Sequence, residues 1–271
     1  MDNVSAYDEG CISIPGQTLF YYKAGTGELP LIVFHGFGQT HKAFADWIPQ
    51  LGQKYTLIFV DLYFHGKSTW TNPDRTLEKD AWKETLTLIL AQENITTFSL
   101  AGYSLGGKFA LATLEAFPNA VKELWLIAPD GITRNFWYSV ATGSKPLRQL
   151  FKRMIGHEET FTRLTRVARL LRLVDKTVLR FAENQMDTAS KRARVYNTWV
   201  VFRRLQFDMR KISEMLNKSG IPVTVIMGKY DRIVPPHWIE RPLNRLQNMN
   251  FCVVDSGHND LITAAIPFLP K

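Results

Sequence analysis

The chain has 271 residues, of which 45% are hydrophobic and 21% are charged, and these proportions are ordinary for a globular protein. This length suits one large domain that carries an insertion and buries a sizeable core. The longest apolar runs, such as 124–128, are far too short to span a bilayer, so composition argues against membrane-spanning helices.

Positive charge is concentrated in one segment. Between Arg134 and Lys211 there are 18 Lys and Arg residues and 6 Asp and Glu residues, whereas the remainder of the chain has a net charge of −4. Such asymmetry indicates a separate structural unit with its own surface role. No nucleic-acid-binding module accompanies the charge, so we expect no nucleic-acid partner. A weak contact with an anionic membrane or an anionic substrate stays open.

The cellular compartment follows from the first residues and the cysteines. Met1-Asp2-Asn3-Val4 carries an acid and lacks the apolar run of a secretory signal. Cys11 and Cys252 are far apart on strand-like segments, which favours buried thiols over a disulfide. We therefore expect a cytoplasmic protein.

Strand-like and helix-like segments alternate along the first half of the chain. Short apolar runs indicate strands that are covered on both faces, and apolar residues at helical spacing indicate the helices between them. In chain order we expect a hairpin over 10–23, strands over 31–34 and 57–60, a helix over 77–92, a strand over 98–101, a helix ending at Phe117 and a strand over 123–128.

After Pro129 the alternation lapses for about eighty residues of helical pattern and resumes at Ile221. We therefore predict a doubly wound α/β core formed by 1–130 and 213–271, with a helical, basic insertion over 131–212 after the sixth strand. Its longest helix, over 161–182, would carry apolar residues on one face and arginines on the other.

The most informative motif is Gly102-Tyr103-Ser104-Leu105-Gly106. It follows an apolar strand and opens a helix, which is the context that a G-x-S-x-G nucleophile elbow requires. The glycines let the strand and the helix approach each other, and the sharp turn presents the hydroxyl of Ser104 at the edge of the sheet. Ser104 is the predicted nucleophile.

Two further candidate groups each follow an apolar strand. The run 223–228 leads to Asp231, and the run 250–254 leads to a Gly-His pair that contains His258. We predict that His258 is the base for Ser104 and that Asp231 orients His258. Asp130, after the sixth strand, is the alternative acid, and Asp255 is too close in sequence to His258 to serve.

These residues, in the order Ser, Asp, His, resemble the α/β-hydrolase superfamily over about residues 14–270. The resemblance implies a mostly parallel sheet of about eight strands and an insertion that folds over the active site as a cap. It implies oxyanion donors at the backbone N–H groups of Phe37 and Leu105. It also implies a monomer or a homodimer.

One loop departs from the superfamily pattern. Many members carry Asp-x-x-Gly-x-Gly-x-Ser after the fourth strand, whereas this chain reads Asp61 to Ser68 with Phe64 where the first glycine is expected. Either the loop bends differently or Phe64 adopts an unusual backbone conformation.

The substrate pocket is expected between the sheet and the cap, lined by aromatic side chains that suit an apolar acyl or aryl group. The candidates are Phe37, Tyr103, Phe136, Trp137, Trp199 and Trp238. No phosphate-binding loop or metal-ligand cluster is present in the sequence, so we expect no cofactor and no metal.

The resemblance favours a carboxylesterase-like serine hydrolase that cleaves small, largely apolar esters or thioesters through an acyl-enzyme on Ser104. One alternative is a carbon–carbon bond hydrolase of vinylogous diketones, in which Arg134, Arg203 or Arg204 would hold a substrate carboxylate. Cofactor-free haloperoxidase-like activity is a weaker alternative on the same scaffold. A ligand-binding module that has kept the hydrolase shell is the alternative of a different class.

Overall fold

A computed structural model describes residues 7–133, 142–156 and 176–270, together with Glu159, Arg163, Arg166 and Leu170. Most of the helix expected over 161–182 lies outside these residues, as do Arg134, Phe136 and Trp137.

The described residues form one mostly parallel sheet, whose strands lie in the order β1-β2-β4-β3-β6-β7-β8-β9, with β5 paired to β2. Only the pairs made by β2 are antiparallel, and they include the expected hairpin with β1. The strands are β1 (Asp8–Ile14), β2 (Gln17–Ala24), β3 (Leu29–Phe34), β4 (Tyr55–Asp61), β5 (Thr69–Trp70), β6 (Phe98–Tyr103), β7 (Val121–Ile127), β8 (Val223–Gly228) and β9 (Met249–Val254).

Helices alternate with the parallel strands, as the doubly wound α/β prediction requires, and that prediction is confirmed. Within the described residues, the α-helices are α1 (Ile48–Leu51), α2 (Lys79–Gln92), α3 (Gly106–Ala116), α4 (Lys145–Gly156), α5 (Lys176–Gln185), α6 (Ala189–Val201), α7 (Met209–Ser219), α8 (Pro236–Leu243) and α9 (Leu261–Ala264). Short 3-10 segments cover His41–Trp47, Phe202–Arg204 and Ile266–Phe268. Within the described ranges, no helix combines the length and the apolar character that crossing a bilayer would need.

The expected sheet of about eight strands is confirmed, since the described residues form nine strands and one of them is very short. Without that short strand, β7 is the sixth strand along the chain, and the helical stretch follows it as expected. The additional strand is β5, a two-residue segment that pairs Gln17 with Trp70 and Thr18 with Thr69. A strand of two residues is too short to show an alternating hydrophobic pattern, so β5 is recognised only from its pairing with β2.

The chain divides into two compact units. The core unit comprises Met1–Thr71, Glu78–Thr133 and Leu205–Lys271, and the insertion unit comprises Asn72–Leu77 and Arg134–Arg204. The short segment Asn72–Leu77 was not expected in the insertion unit. Within that unit, the N–H of Leu77 donates a hydrogen bond to the carbonyl of Val201 at 2.9 Å.

Both cysteines are free thiols, but the expected burial is wrong for one of them. Cys11 is exposed on β1, and Cys252 is partly buried on β9. Because β1 and β9 are the two edge strands of the sheet, their side chains are covered less completely than those of central strands.

Candidate active site

The nucleophile elbow is a sharp turn between β6 and α3. Ser104 has a φ of 49°, in the left-handed region that disfavours side chains, so its backbone is strained. The turn depends on Gly106, since a Cβ atom there would lie 2.0 Å from the carbonyl oxygen of Phe34 on β3. The structure therefore places the Ser104 hydroxyl where the central strands end.

The three predicted polar side chains meet at this edge of the sheet. Nε2 of His258 lies 3.1 Å from Oγ of Ser104, and Nδ1 of His258 lies 2.6 Å from Oδ2 of Asp231. This geometry assigns the Nδ1 proton to the carboxylate bond and leaves Nε2 as the acceptor for the serine hydroxyl. Asp231 and His258 are buried, and Ser104 is partly exposed.

The carboxylate of Asp231 is fixed by its own loop. Its Oδ1 atom accepts hydrogen bonds from the N–H groups of Ile233 and Val234, both at 2.8 Å. One oxygen is thus held by the backbone while the other faces the imidazole. This anchoring fixes the carboxylate that faces the imidazole and so orients the ring of His258.

The alternative acids have other partners. Oδ2 of Asp130 lies 2.9 Å from Nζ of Lys108, and Asp130 donates its own N–H to the carbonyl of Ser104. Asp255 lies on the surface, 3.8 Å from Lys229. Of the three acids considered from the sequence, only Asp231 makes a hydrogen bond to His258 in the structure.

The loop after β3 is held rigidly around Phe37. The N–H of Gly36 donates to Oε1 of Gln39, and the N–H of Gly38 donates to Nε2 of His65, both at 3.0 Å. Leu105 lies at the start of α3, where the first amides have no intrahelical acceptor. These are the two places at which oxyanion donors were expected.

His65 is a positioning residue that sequence reasoning missed. Its Nδ1 atom lies 3.0 Å from the carbonyl of Tyr63, which puts the ring proton there and makes Nε2 the acceptor for the N–H of Gly38. The neighbouring Phe64 has a φ of 70°, so the departure from the glycine pattern is absorbed by an unusual backbone conformation. The His-Gly pair in the Asp61–Ser68 loop was the only available signal.

Tyr103 supports the histidine, which the sequence did not reveal. It was expected in the substrate pocket, but it is 2% exposed, and its hydroxyl donates to the main-chain carbonyl of His258 at 2.6 Å. Burial, together with the nearby carboxylates of Asp231 and Asp260, raises the pKa of this phenol well above its usual range. Tyr103 therefore stays a neutral donor throughout the working pH range.

The remaining pocket candidates have separate environments. Phe37 is partly buried and lies edge-on to His65, with 5.5 Å between ring centroids. In the insertion unit, the Trp199 ring lies 5.4 Å from that of Phe151. Trp238, in the core unit, is 46% exposed. No group of three or more metal-ligating side chains occurs among the residues that the structure describes.

Comparisons with known proteins agree with this architecture. Uncharacterized hydrolase YugF of Bacillus subtilis (strain 168) is 25% identical over 231 residues, which are 82% of this chain and 81% of that protein. The 2-hydroxy-6-oxo-6-(2'-aminophenyl)hexa-2,4-dienoic acid hydrolase of Metapseudomonas resinovorans is 24% identical over 285 residues, which are 98% of this chain and 92% of that protein.

A solved structure shares the fold at lower identity. A thermophilic esterase from Thermogutta terrifontis superposes with a TM-score of 0.66 and 18% identity, covering 95% of this chain and 93% of that one. Residues 30–265 match the family model described as alpha/beta hydrolase fold. With the sheet order and the elbow described above, this match shows that the chain belongs to the alpha/beta hydrolase fold family, which points to a hydrolase enzyme.

Proposed function

We propose that this protein is a serine hydrolase of small, largely apolar carboxylic esters or thioesters. The observation that carries the proposal is the continuous hydrogen-bonded path from Ser104 through His258 to Asp231. A serine hydroxyl is a weak nucleophile, and a base within hydrogen-bond reach is what activates it. Ser104 has such a base, and the base has an orienting carboxylate.

In the proposed reaction, Oγ of Ser104 forms a bond to the substrate carbonyl carbon while its proton passes to Nε2 of His258. The bond to the leaving alcohol or thiol then breaks, and His258 returns the proton to that group. A water molecule repeats the sequence, with His258 as its base, and releases the acid from Ser104. No other reactant is consumed.

Negative charge develops on the carbonyl oxygen at each tetrahedral stage. In this proposal the backbone N–H groups of Leu105 and Phe37 stabilise it, since preorganised amides at such a position lower the barrier without reorganising. The hydrogen bonds that hold Gly36 and Gly38 support the role given to Phe37, because they limit the movement of its amide.

The test is release of p-nitrophenol from a chain-length series of p-nitrophenyl esters, from pH 5 to pH 9. We expect Ser104→Ala to abolish release at every pH, because no acyl-enzyme can form without the Ser104 hydroxyl. Ser13→Ala, on an exposed strand, is the matched control and should retain the wild-type rate. Turnover that persists in folded Ser104→Ala would refute the serine mechanism.

Carbon–carbon bond hydrolysis is the second candidate. It is favoured by the Metapseudomonas resinovorans hydrolase, whose similarity extends over 98% of this chain. The same serine and histidine would serve, but the bond broken would join two carbons of a vinylogous diketone. This candidate is favoured if the folded wild type hydrolyses none of the esters but cleaves a dienoate diketone, and if Ser104→Ala does not cleave it.

A further inference from the structure

An open groove of about 370 Å³ lies between α7 and α8 of the core unit. Three arginines line it together with a short apolar floor and an amide. The lining residues are Met209, Arg210, Arg241, Pro242, Asn244 and Arg245. Guanidinium groups that face one concavity repel each other unless an anion lies between them.

Within the described residues, one of these charges has a salt-bridge partner. Arg210 lies 3.6 Å from the carboxylate of Asp208, and both side chains are well exposed. Neither Arg241 nor Arg245 forms a salt bridge in the described part of the chain. Among the described residues, no carboxylate therefore competes with a ligand for these two guanidinium groups.

The backbone that carries the arginines is firmly held. Nδ2 of Asn217 on α7 donates to the carbonyl of Arg245, and Oδ1 of Asn217 accepts from the N–H of Gln247, both at 2.9 Å. On the same two helices, Ile212, Leu216, Ile239 and Leu243 are buried. The two helices and the segment that follows α8 thus carry the three arginines on a main chain that a ligand does not have to order.

We infer that this groove is a binding site for a phosphate-bearing small molecule, separate from Ser104. Arginine forks match phosphate oxygens in a bidentate way, and three of them suit a dianion or a diphosphate better than a single carboxylate. Met209 and Pro242 provide an apolar surface for the organic part of such a molecule. The same phosphate chemistry can come from a soluble ester or from a lipid headgroup.

The test measures binding of inorganic pyrophosphate and phenyl phosphate to the full chain by calorimetry at low salt. Sedimentation with vesicles that contain phosphatidic acid is the parallel arm. The double variant Arg241→Gln/Arg245→Gln should bind at least about tenfold more weakly, because each lost guanidinium removes charge-assisted hydrogen bonds. If the double variant loses calorimetric binding of pyrophosphate or phenyl phosphate, the ligand is a soluble phosphate. If the double variant loses only binding to the vesicles, the ligand is a lipid headgroup.

The matched control is Lys42→Gln/Lys83→Gln, which removes the same charge from two exposed lysines outside the groove. It should bind like wild type, and ester hydrolysis should be unchanged in the groove variant because none of the residues that line the groove belongs to the Ser104–His258–Asp231 set. If both double variants lose the same affinity for the probes, binding depends only on the net charge of the protein, and the inference is overturned. Failure of wild type to bind any of the three probes would overturn it as well.

Discussion

At the residue scale, His258 is held by three side chains that lie at the ends of two strands. Asp231 follows β8, Ser104 follows β6, and Tyr103 is the last residue of β6. Two of these contacts reach the imidazole, and the third reaches the main-chain carbonyl of His258. The ring and its backbone are therefore oriented independently, which makes their contributions separable by substitution.

The identity of the orienting acid is tested by the pair Asp231→Asn and Asp130→Asn. An amide at position 231 would favour the wrong imidazole tautomer, so we expect kcat for esters to fall by about 10⁴-fold. Asp130→Asn should change kcat by less than about tenfold, because Asp130 pairs with Lys108 and not with His258. A larger loss in Asp130→Asn would transfer the orienting role to Asp130.

Tyr103→Phe isolates the bond to the His258 carbonyl, since it removes the hydroxyl and keeps the buried ring. A typical hydrogen bond contributes about 1 kcal/mol, so we expect kcat to fall about fivefold to tenfold with KM unchanged. The pH profile should keep its shape, because the raised pKa of Tyr103 leaves no charge change to remove.

The matched control for that variant is Tyr21→Phe. The Tyr21 hydroxyl is also hydrogen-bonded, to Glu93 at 2.5 Å, but it lies on β2, away from Ser104. Urea unfolding should show a similar loss of stability in both variants, and only Tyr103→Phe should lose kcat. An equal kcat in the two variants would show that the Tyr103 bond is purely structural.

At the element scale, the elbow depends on how closely α3 approaches the sheet. Gly106 faces the carbonyl of Phe34, and Gly107 faces Pro129 and Asp130, so the first turn of the helix contacts the ends of both neighbouring strands. The approach places the helix N-terminus beneath Ser104, where its partial positive charge favours a developing oxyanion.

Gly106→Ala is expected to destabilise the protein by about 1–3 kcal/mol, because the new methyl group has no room beside the Phe34 backbone. Ester hydrolysis should fall as well, since the elbow must shift. Gly143→Ala is the control, because a Cβ atom there meets nothing within 4 Å. Equal unfolding free energies for the two variants, measured in urea, would show that the elbow is not tightly packed.

The elements that could be predicted from the sequence are those whose signal is local. The parallel strands are runs of apolar residues, and Ser104, Asp231 and His258 each follow such a run, so their meeting at one edge could be expected. The Tyr103 bond joins residues 155 apart in the chain, and no periodicity encodes that contact. The positive φ of Phe64 could not be predicted either, because the sequence was compatible with a loop that bends differently or with an unusual backbone conformation at Phe64.

At the scale of the whole molecule, large buried side chains are unevenly shared between the two units. Of the twelve largest fully buried side chains in the described residues, only Phe202 belongs to the insertion unit. The insertion unit has a small cluster of Tyr196 and Val200, covered by the partly buried Phe151 and Met186. Since burial of apolar area is the main stabilising contribution, the described part of the core unit should be more stable than the described part of the insertion unit.

Native-state hydrogen exchange tests this difference. Amides of α6 should exchange through local opening at a free energy about 2 kcal/mol or more below that of β6, because every residue of β6 is buried and α6 rests on a small cluster. Low concentrations of denaturant should accelerate β6 only near global unfolding. If both elements open with the same free energy and the same denaturant dependence, the two units unfold as one cooperative structure, and the small cluster of the insertion unit does not set its stability.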